Sequence, residues 1–429
     1  MKVLQVNKLY PPTTGGIEKI VRQLAEGLNE RTNTMVLVCR ERGLTKAERR
    51  NGVKVVRASS LGVFFSMPVS FSFIAYFRYL SRQSDIVQLH TPFPLADLAL
   101  LLSGYKGKVL VWWHSDIVRQ EKLMFIFRPL IEWTLRRADR IIVATEGHIE
   151  GSSFLKPYRE KCVIIPYGQD VIPSDEEVLE AMDAARNRTM NRAKNRMKNC
   201  GRTSVKHWSD NRTEADSAVI AAEADSADSA DVFKGNNSAV DTSEGNADRP
   251  VRFLFVGRLV GYKGCRYLIE AFSKVEGAEL TIVGDGPLRT ELIGQADYLG
   301  VADRVAFKTD LDDAMVQHEL KECDVLVLPS IERNEAFGLV QIEAMAWGKP
   351  VINTDIPSGA PYVSLDHQTG LTVPPEDAEA LGKAMQLLAE DDELRLSYGA
   401  AARKRVKEHF SSKKMLDDAY ELYKSLLEE

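Results

Sequence analysis

Two glutamates eight positions apart, Glu335 and Glu343, stand in the segment Arg333-Asn334-Glu335-Ala336-Phe337-Gly338-Leu339-Val340-Gln341-Ile342-Glu343. An apolar run at 325–328 precedes them, and a helical pattern carries them on until Gly348-Lys349-Pro350. One carboxylate falls in the loop and the other a little over two helical turns along, so the pair addresses one ligand at separated heights. Glu335, with Asn334 beside it, suits hydrogen bonds from sugar hydroxyls, and Glu343 suits a ribose diol. The same acids also fit plain service as helix-dipole partners and surface charge.

Cations come next. Gly257-Arg258-Leu259-Val260-Gly261-Tyr262-Lys263-Gly264 follows a strand pattern at 253–256. Arg258 can fork across two phosphate oxygens and Lys263 adds a point charge. A diphosphate leaving group needs such neutralisation as its anomeric bond breaks; a solvated loop would carry the same cations. Gly15-Gly16, in Tyr10-Pro11-Pro12-Thr13-Thr14-Gly15-Gly16-Ile17-Glu18, opens a helix after the first strand, where close backbone approach and free amides favour an anion. A tight strand-to-helix turn would use that pair too, and it is not the dinucleotide-binding fingerprint. Gly284-Asp285-Gly286-Pro287 follows a strand at 279–283 and allows flat approach to a base or ribose.

In the first half, Trp112-Trp113-His114-Ser115-Asp116 ends a strand and presents His114 as a donor-sugar contact; a satisfied core histidine reads the same way. His90, Asp97 and Asp116 are candidate acceptor-side contacts. Asp310-Leu311-Asp312 has the D-x-D form that can hold a divalent metal under a diphosphate, but so short an acidic pattern recurs by chance. Activity is expected without metal or other cofactor. Neither a G-x-S-x-G elbow nor a P-loop pattern is present.

These residues need scaffolds. Short β-rich runs at 3–6, 35–39, 53–57, 86–90, 109–113, 140–144 and 162–165 alternate with helical patterns at 17–29 and 125–137, and the alternation restarts at 253–256, 279–283, 305–307, 325–328, 351–353 and 370–373. Two consecutive doubly wound α/β parallel sheets are the simplest account, each with ligands at the carboxyl ends of its strands. The length of 429 residues suits two domains at roughly 100–200 residues each. We expect a first domain at 1–173, a linker at 174–248 and a second domain at 249–412. Within the linker, 185–248 is basic, then acidic and repetitive, and nearly without aromatics, which reads as a disordered insertion. The 63–80 stretch, broken by Ser66, Pro68, Ser70, Ser72 and Arg78, falls short of a spanning helix and reads as a packed one. With no signal peptide read at the start and five cysteines lacking any C-x-x-C spacing, a reducing cytoplasmic setting is expected. A net charge of −5 argues against nucleic acid as partner. Arg128, Arg136 and Arg137 beside Phe125, Ile126 and Phe127 suit peripheral contact with the inner face of the plasma membrane, or a merely solvated amphipathic helix.

Taken in order, Gly15-Gly16, Gly257-Arg258-Leu259 with Lys263-Gly264, and Glu335 with Glu343 resemble the family 4 retaining glycosyltransferases of the two-Rossmann architecture called GT-B. The resemblance covers both lobes but not the insertion. It implies that Gly16 meets the distal phosphate or the sugar, that Arg258 and Lys263 bind the diphosphate, and that Glu335 contacts the hexose and Glu343 the ribose. It further implies that His114 lies near the sugar, that amides of Phe337, Gly338 and Leu339 face phosphates, and that a last helix at 413–427 crosses back onto the first lobe. His114-Ser115-Asp116-Ile117-Val118, Asn334 to Gly338, and Thr354-Asp355-Ile356-Pro357-Ser358-Gly359 are similar to bacterial mannosyl- and rhamnosyltransferases of O-antigen and exopolysaccharide assembly. That likeness implies GDP-mannose or a GDP-deoxysugar as donor and a glycan, free or polyprenyl-diphosphate-linked, as acceptor. Phe307-Lys308-Thr309 and Pro166-Tyr167-Gly168-Gln169-Asp170 depart from the family pattern, which loosens base identity. A UDP-sugar donor, an epimerase and a non-catalytic scaffold remain alternatives on the same fold.

Overall fold

The computed structural model describes residues 1–12, 15–64, 67–116, 121–170, 172–180 and 250–429. The insertion expected at 185–248, Thr13-Thr14 and Ile117-Val118 lie outside them. Among the described residues, ten strands precede the insertion: β1 (Lys2–Val6), β2 (Asn33–Cys39), β3 (Lys46–Arg50), β4 (Val53–Ala58), β5 (Val63–Phe64), β6 (Met67–Pro68), β7 (Ile86–Thr91), β8 (Lys108–Trp113), β9 (Arg140–Val143) and β10 (Cys162–Ile164). Six follow it: β11 (Val251–Val256), β12 (Ala278–Val283), β13 (Val305–Lys308), β14 (Val325–Leu328), β15 (Val351–Thr354) and β16 (Gly370–Val373).

The first sheet runs β10-β9-β8-β7-β1-β2-β4-β3 and the second β13-β12-β11-β14-β15-β16. Every pairing is parallel except β3 with β4 in the first sheet. Both orders reverse beside their first strand, between β1 and β7 and between β11 and β14, and a ligand crevice belongs at that reversal. Parallel strands covered on both faces read as unbroken apolar runs, as in Val-Leu-Val-Leu of β14, buried throughout. Strand β3, Lys-Ala-Glu-Arg-Arg, has no such signature: it is an antiparallel edge whose charges discourage further pairing. The expected single helix over 63–80 is instead the β5–β6 pair followed by the helix Phe71–Ser81. Pro68 disfavours a helix running through it, and Ser70 caps the new one by accepting from the Phe73 amide at 3.1 Å.

The two lobes share one apolar cluster, from Val3, Leu24, Trp112 and Tyr167 of the first to Phe337 and Met345 of the second, closing on Phe410 and Tyr423. The chain crosses back at Gln169, whose amide donates to the Phe410 carbonyl at 2.7 Å and whose carbonyl accepts from the Ser412 amide at 3.1 Å. Ser411 caps the last helix, Ser412–Glu428, which then lies on the first lobe. Arg31 pairs with Asp417 at 2.6 Å and Arg140 with Glu429 at 2.6 Å, while Tyr423 is buried against β1 and β7.

Candidate active site

Loops leaving β8, β10, β11 and β14 meet the start of the helix Gly16–Gly27 around a crevice of about 360 Å³ between the lobes. Gly16, His114, Ser115 and Tyr167 line it from the first lobe. Tyr262, Lys263, Asn334, Glu335, Phe337, Gly338 and Leu339 line it from the second. A Cβ at Gly16 would stand 3.3 Å from Leu339 Cδ1, so a side chain there would press on the second lobe across the crevice. The helix Leu339–Ala346 starts at Gly338, so its unpaired amides open on the same space.

Lys263 and Glu335 form a close ion pair at the centre, with side chains 13% and 9% exposed. Ser330 Oγ donates to the same carboxylate at 2.9 Å. Burial is the largest influence and would lower the Lys263 ammonium, but the Glu335 charge, Tyr262 and the hydrogen bond to Glu335 together outweigh it and hold the group above its ordinary range. Asn334 is turned to Glu332, donating at 2.7 Å.

Glu343 opens on an adjoining cavity of about 570 Å³, lined also by Gly15, Lys19, Arg22 and Asp313. Gly16, Leu339 and Val340 border both spaces. The two glutamates thus face adjoining spaces, one on each side of Gly16, Leu339 and Val340. Lys19 Nζ reaches across the lobes to Glu343 at 2.5 Å. Lys19 was missed in the sequence, although it lies one helical turn past Gly16 on the same face.

His114 is buried with both ring nitrogens engaged, Nε2 with His90 Nδ1 at 2.9 Å and Nδ1 with the Tyr167 hydroxyl at 2.7 Å. Burial, helped by His90 and His148, holds its pKa far below the usual imidazole range. His90 stands behind His114, inside the sheet, and does not line the crevice.

Four further candidates lie elsewhere. Arg258 is exposed and lines neither cavity. Gly284, at φ 140°, lies against the Gly257 carbonyl, where a Cβ would come within 2.0 Å, and lines neither cavity. Asp97 is buried in the helix Pro94–Ser103, against Thr134 of the helix Glu121–Arg137, and burial pushes its carboxyl up to about 7. Asp116 accepts from Trp113 Nε1 at 3.1 Å and Ser152 Oγ at 2.7 Å. It faces Arg333 of the second lobe at 3.9 Å, and Arg333 also donates to the Gly151 carbonyl at 3.3 Å. Asp116 therefore belongs to a seam between the lobes. Of the D-x-D pair, Asp312 is spent as the cap of the helix Asp313–Glu322, accepting from the Met315 amide at 2.8 Å.

Fold and crevice together define the class: the two-lobed glycosyltransferases. The chain belongs to glycosyltransferase family 4. Residues 14–171 match the model described as Glycosyltransferase Family 4, and residues 238–405 match Glycosyl transferases group 1. It is 30% identical to D-rhamnosyltransferase WbpZ of Pseudomonas aeruginosa, over 96% of this chain and 93% of that protein. It is 29% identical to O-antigen chain mannosyltransferase C of Escherichia coli, over 100% of this chain and 99% of that one. Among solved structures, sucrose-phosphate synthase of Thermosynechococcus elongatus shares the fold at a TM-score of 0.71 and 20% identity, covering 99% of both chains. HepE of Anabaena with UDP-glucose does so at 0.67 and 17% identity, covering 99% of this chain and 100% of that one.

Proposed function

We propose that this glycosyltransferase moves a mannosyl residue from GDP-mannose, with retention of anomeric configuration, to a glycan or polyprenyl-diphosphate-linked glycan during cell-surface polysaccharide synthesis. The observation that carries the reading is the buried Lys263–Glu335 pair set beside Gly16, His114 and the start of the helix Leu339–Ala346 in one crevice. A diphosphate entering there recruits Lys263 and the free amides, and Glu335, released from its partner, accepts from hexose hydroxyls. The ribose lies deeper toward Glu343, displacing Lys19. Among the described residues lining this crevice Glu335 is the one carboxylate, and a ring contact leaves it poorly placed as a covalent nucleophile. Retention then follows from front-face attack: the acceptor oxygen bonds to the anomeric carbon, the carbon–oxygen bond to the diphosphate breaks, and the departing oxygen takes the acceptor proton. Catalysis is mostly positioning and charge stabilisation.

The mannosyl donor rests on likeness to the Escherichia coli O-antigen mannosyltransferase; the comparable likeness to a D-rhamnosyltransferase supports a GDP-deoxysugar as second reading. No helix among the described residues is long and apolar enough to cross a membrane. Phe71, Tyr79, Leu101, Leu102 and Phe125 are exposed on neighbouring helices of the first lobe, which supports peripheral contact with a membrane carrying the acceptor.

The test is a donor screen by thermal shift and hydrolysis with GDP-mannose, GDP-rhamnose, UDP-glucose and UDP-N-acetylglucosamine, followed by NMR of the product linkage. GDP-mannose should stabilise most and the linkage should keep the donor's configuration, with turnover unchanged in EDTA. A UDP-sugar preference overturns the donor, an inverted linkage the mechanism, and EDTA inhibition reversed by magnesium or manganese the metal independence.

A further inference from the structure

The middle strands of the first sheet bury polar side chains where parallel strands ordinarily carry apolar ones. Gln5 on β1, Gln88 and His90 on β7, and Tyr423 on the last helix are each 1% exposed or less. They form one chain of hydrogen bonds that ends at the transfer crevice. Tyr423 Oη donates to Gln88 Oε1 at 2.6 Å and accepts from Gln5 Nε2 at 3.1 Å. Gln5 Oε1 lies 2.7 Å from His90 Nε2.

Direction follows from chemistry. A carboxamide oxygen can only accept, so His90 carries its proton on Nε2. Gln88 Nε2 approaches the same nitrogen at 3.3 Å, but the 2.7 Å contact is the shorter and decides the assignment. A neutral His90 then has a bare Nδ1, and His114 Nε2, 2.9 Å away, must donate to it. That leaves His114 Nδ1 bare, accepting from the Tyr167 hydroxyl at 2.7 Å. The rings of His90 and His114 stack at 5.2 Å and those of His114 and Tyr167 at 5.6 Å, which restricts reorientation. Burial keeps both imidazoles neutral, pushing His90 down to about 3. The far end closes on two carboxamides, which give a proton no exit: the chain orients and does not shuttle.

We propose that Tyr423, acting through Gln5 and His90, is a positioning residue that locks His114 as the Nε2–H form, so that Nδ1 is a fixed acceptor which a hydroxyl of the bound sugar engages in place of Tyr167. This rests on the reading that the donor sugar occupies the crevice lined by His114 and Tyr167.

The experiment pairs ¹⁵N-histidine NMR of the full chain with kinetics of Tyr423→Phe. In the wild type, His90 and His114, assigned with His90→Asn and His114→Asn, should be neutral Nε2–H tautomers from pH 5.5 to 8. Tyr423→Phe should mix the His114 tautomers and lower kcat about tenfold, the scale of one net hydrogen bond, while binding of GDP alone is unchanged. A wild-type His114 protonated on Nδ1, or titrating in that range, overturns the relay without needing any variant. So does a folded Tyr423→Phe protein that keeps wild-type turnover. A wild-type chain that binds no sugar nucleotide overturns the site reading and with it the recognition role of Nδ1, whereas one that binds it with His114 in the other tautomer overturns the relay alone.

Discussion

Lys263 and Glu335 neutralise one another in a place where neither charge has much water, and this mutual dependence makes them sensitive probes. Removing one partner of a buried pair leaves the other unpaired, at a cost of about 3–5 kcal/mol for full burial; with side chains 13% and 9% exposed, the lower end applies. Lys263→Ala should therefore abolish transfer and lower the melting temperature while the protein stays folded. Glu335→Gln removes the charge but keeps an oxygen for Ser330 Oγ. It should still lower the melting temperature, because the Lys263 charge is left uncompensated, though by less than Lys263→Ala, and should lose about 10²–10³-fold in turnover. Calorimetry beside a transfer assay checks both, and wild-type turnover in either variant would refute the assigned roles. At this scale the sequence pointed to the loops that leave strand ends, and the structure brings Gly16, His114, Lys263 and Glu335 from such loops to one crevice. Arg258 and Gly284 follow β11 and β12 just as closely yet do not line it, because how a loop packs is not encoded in its distance from a strand. Lys19 and Tyr167 gain their roles only from partners far along the chain.

The short helix Glu146–Gly151 shows how an element can set a distance between lobes. Gly147 and Gly151 share one face of it and lie against the loop Pro357–Ser358 of the second lobe. A Cβ at Gly147 would come within 2.3 Å of the Ser358 carbonyl oxygen, and one at Gly151 within 2.4 Å of that of Pro357. Backbone cannot swing aside as a flexible side chain would. Gly147→Ala or Gly151→Ala should cost about 1–3 kcal/mol and hold the lobes apart, seen as a larger radius of gyration in solution scattering together with reduced turnover. Unchanged scattering and kinetics would show that this seam does not govern closure. The same scale separates what sequence can and cannot say about elements. Doubly buried parallel strands announce themselves as apolar runs, whereas the charged edge β3 and the β5–β6 pair are held by neighbours rather than by pattern.

At the scale of the molecule, three buried histidines among the described residues are held in their neutral state. Burial lowers His148 to about 4 and His90 to about 3, and His114 lies well below the ordinary value. An unfolded histidine takes its proton near 6.5, so below that pH the unfolded chain binds more protons and stability falls as pH drops, by about 1.4 kcal/mol per unit for each such residue. Asp97, raised to about 7, opposes this: its folded carboxyl keeps a proton that the unfolded chain releases above about 3.9, so its destabilising effect relaxes on acidification. Burial also raises Asp116 and Glu18, which act in the same sense as Asp97, and with the three histidines outweighing these carboxyls the urea midpoint is lower at pH 5 than at pH 7. His148→Gln, which removes one titration, should flatten that slope between about 6.5 and 4. A midpoint that rises on acidification would contradict the neutral-histidine account.

The most direct measurement of the central claim is a crystal structure with GDP-mannose bound. The account predicts the diphosphate within about 3 Å of Lys263 Nζ and of the amides at the start of the helix Leu339–Ala346, the mannose against Glu335 and His114, and the ribose at Glu343. A donor seated outside the space between Gly16 and Lys263, with the Lys263–Glu335 pair undisturbed, would contradict it.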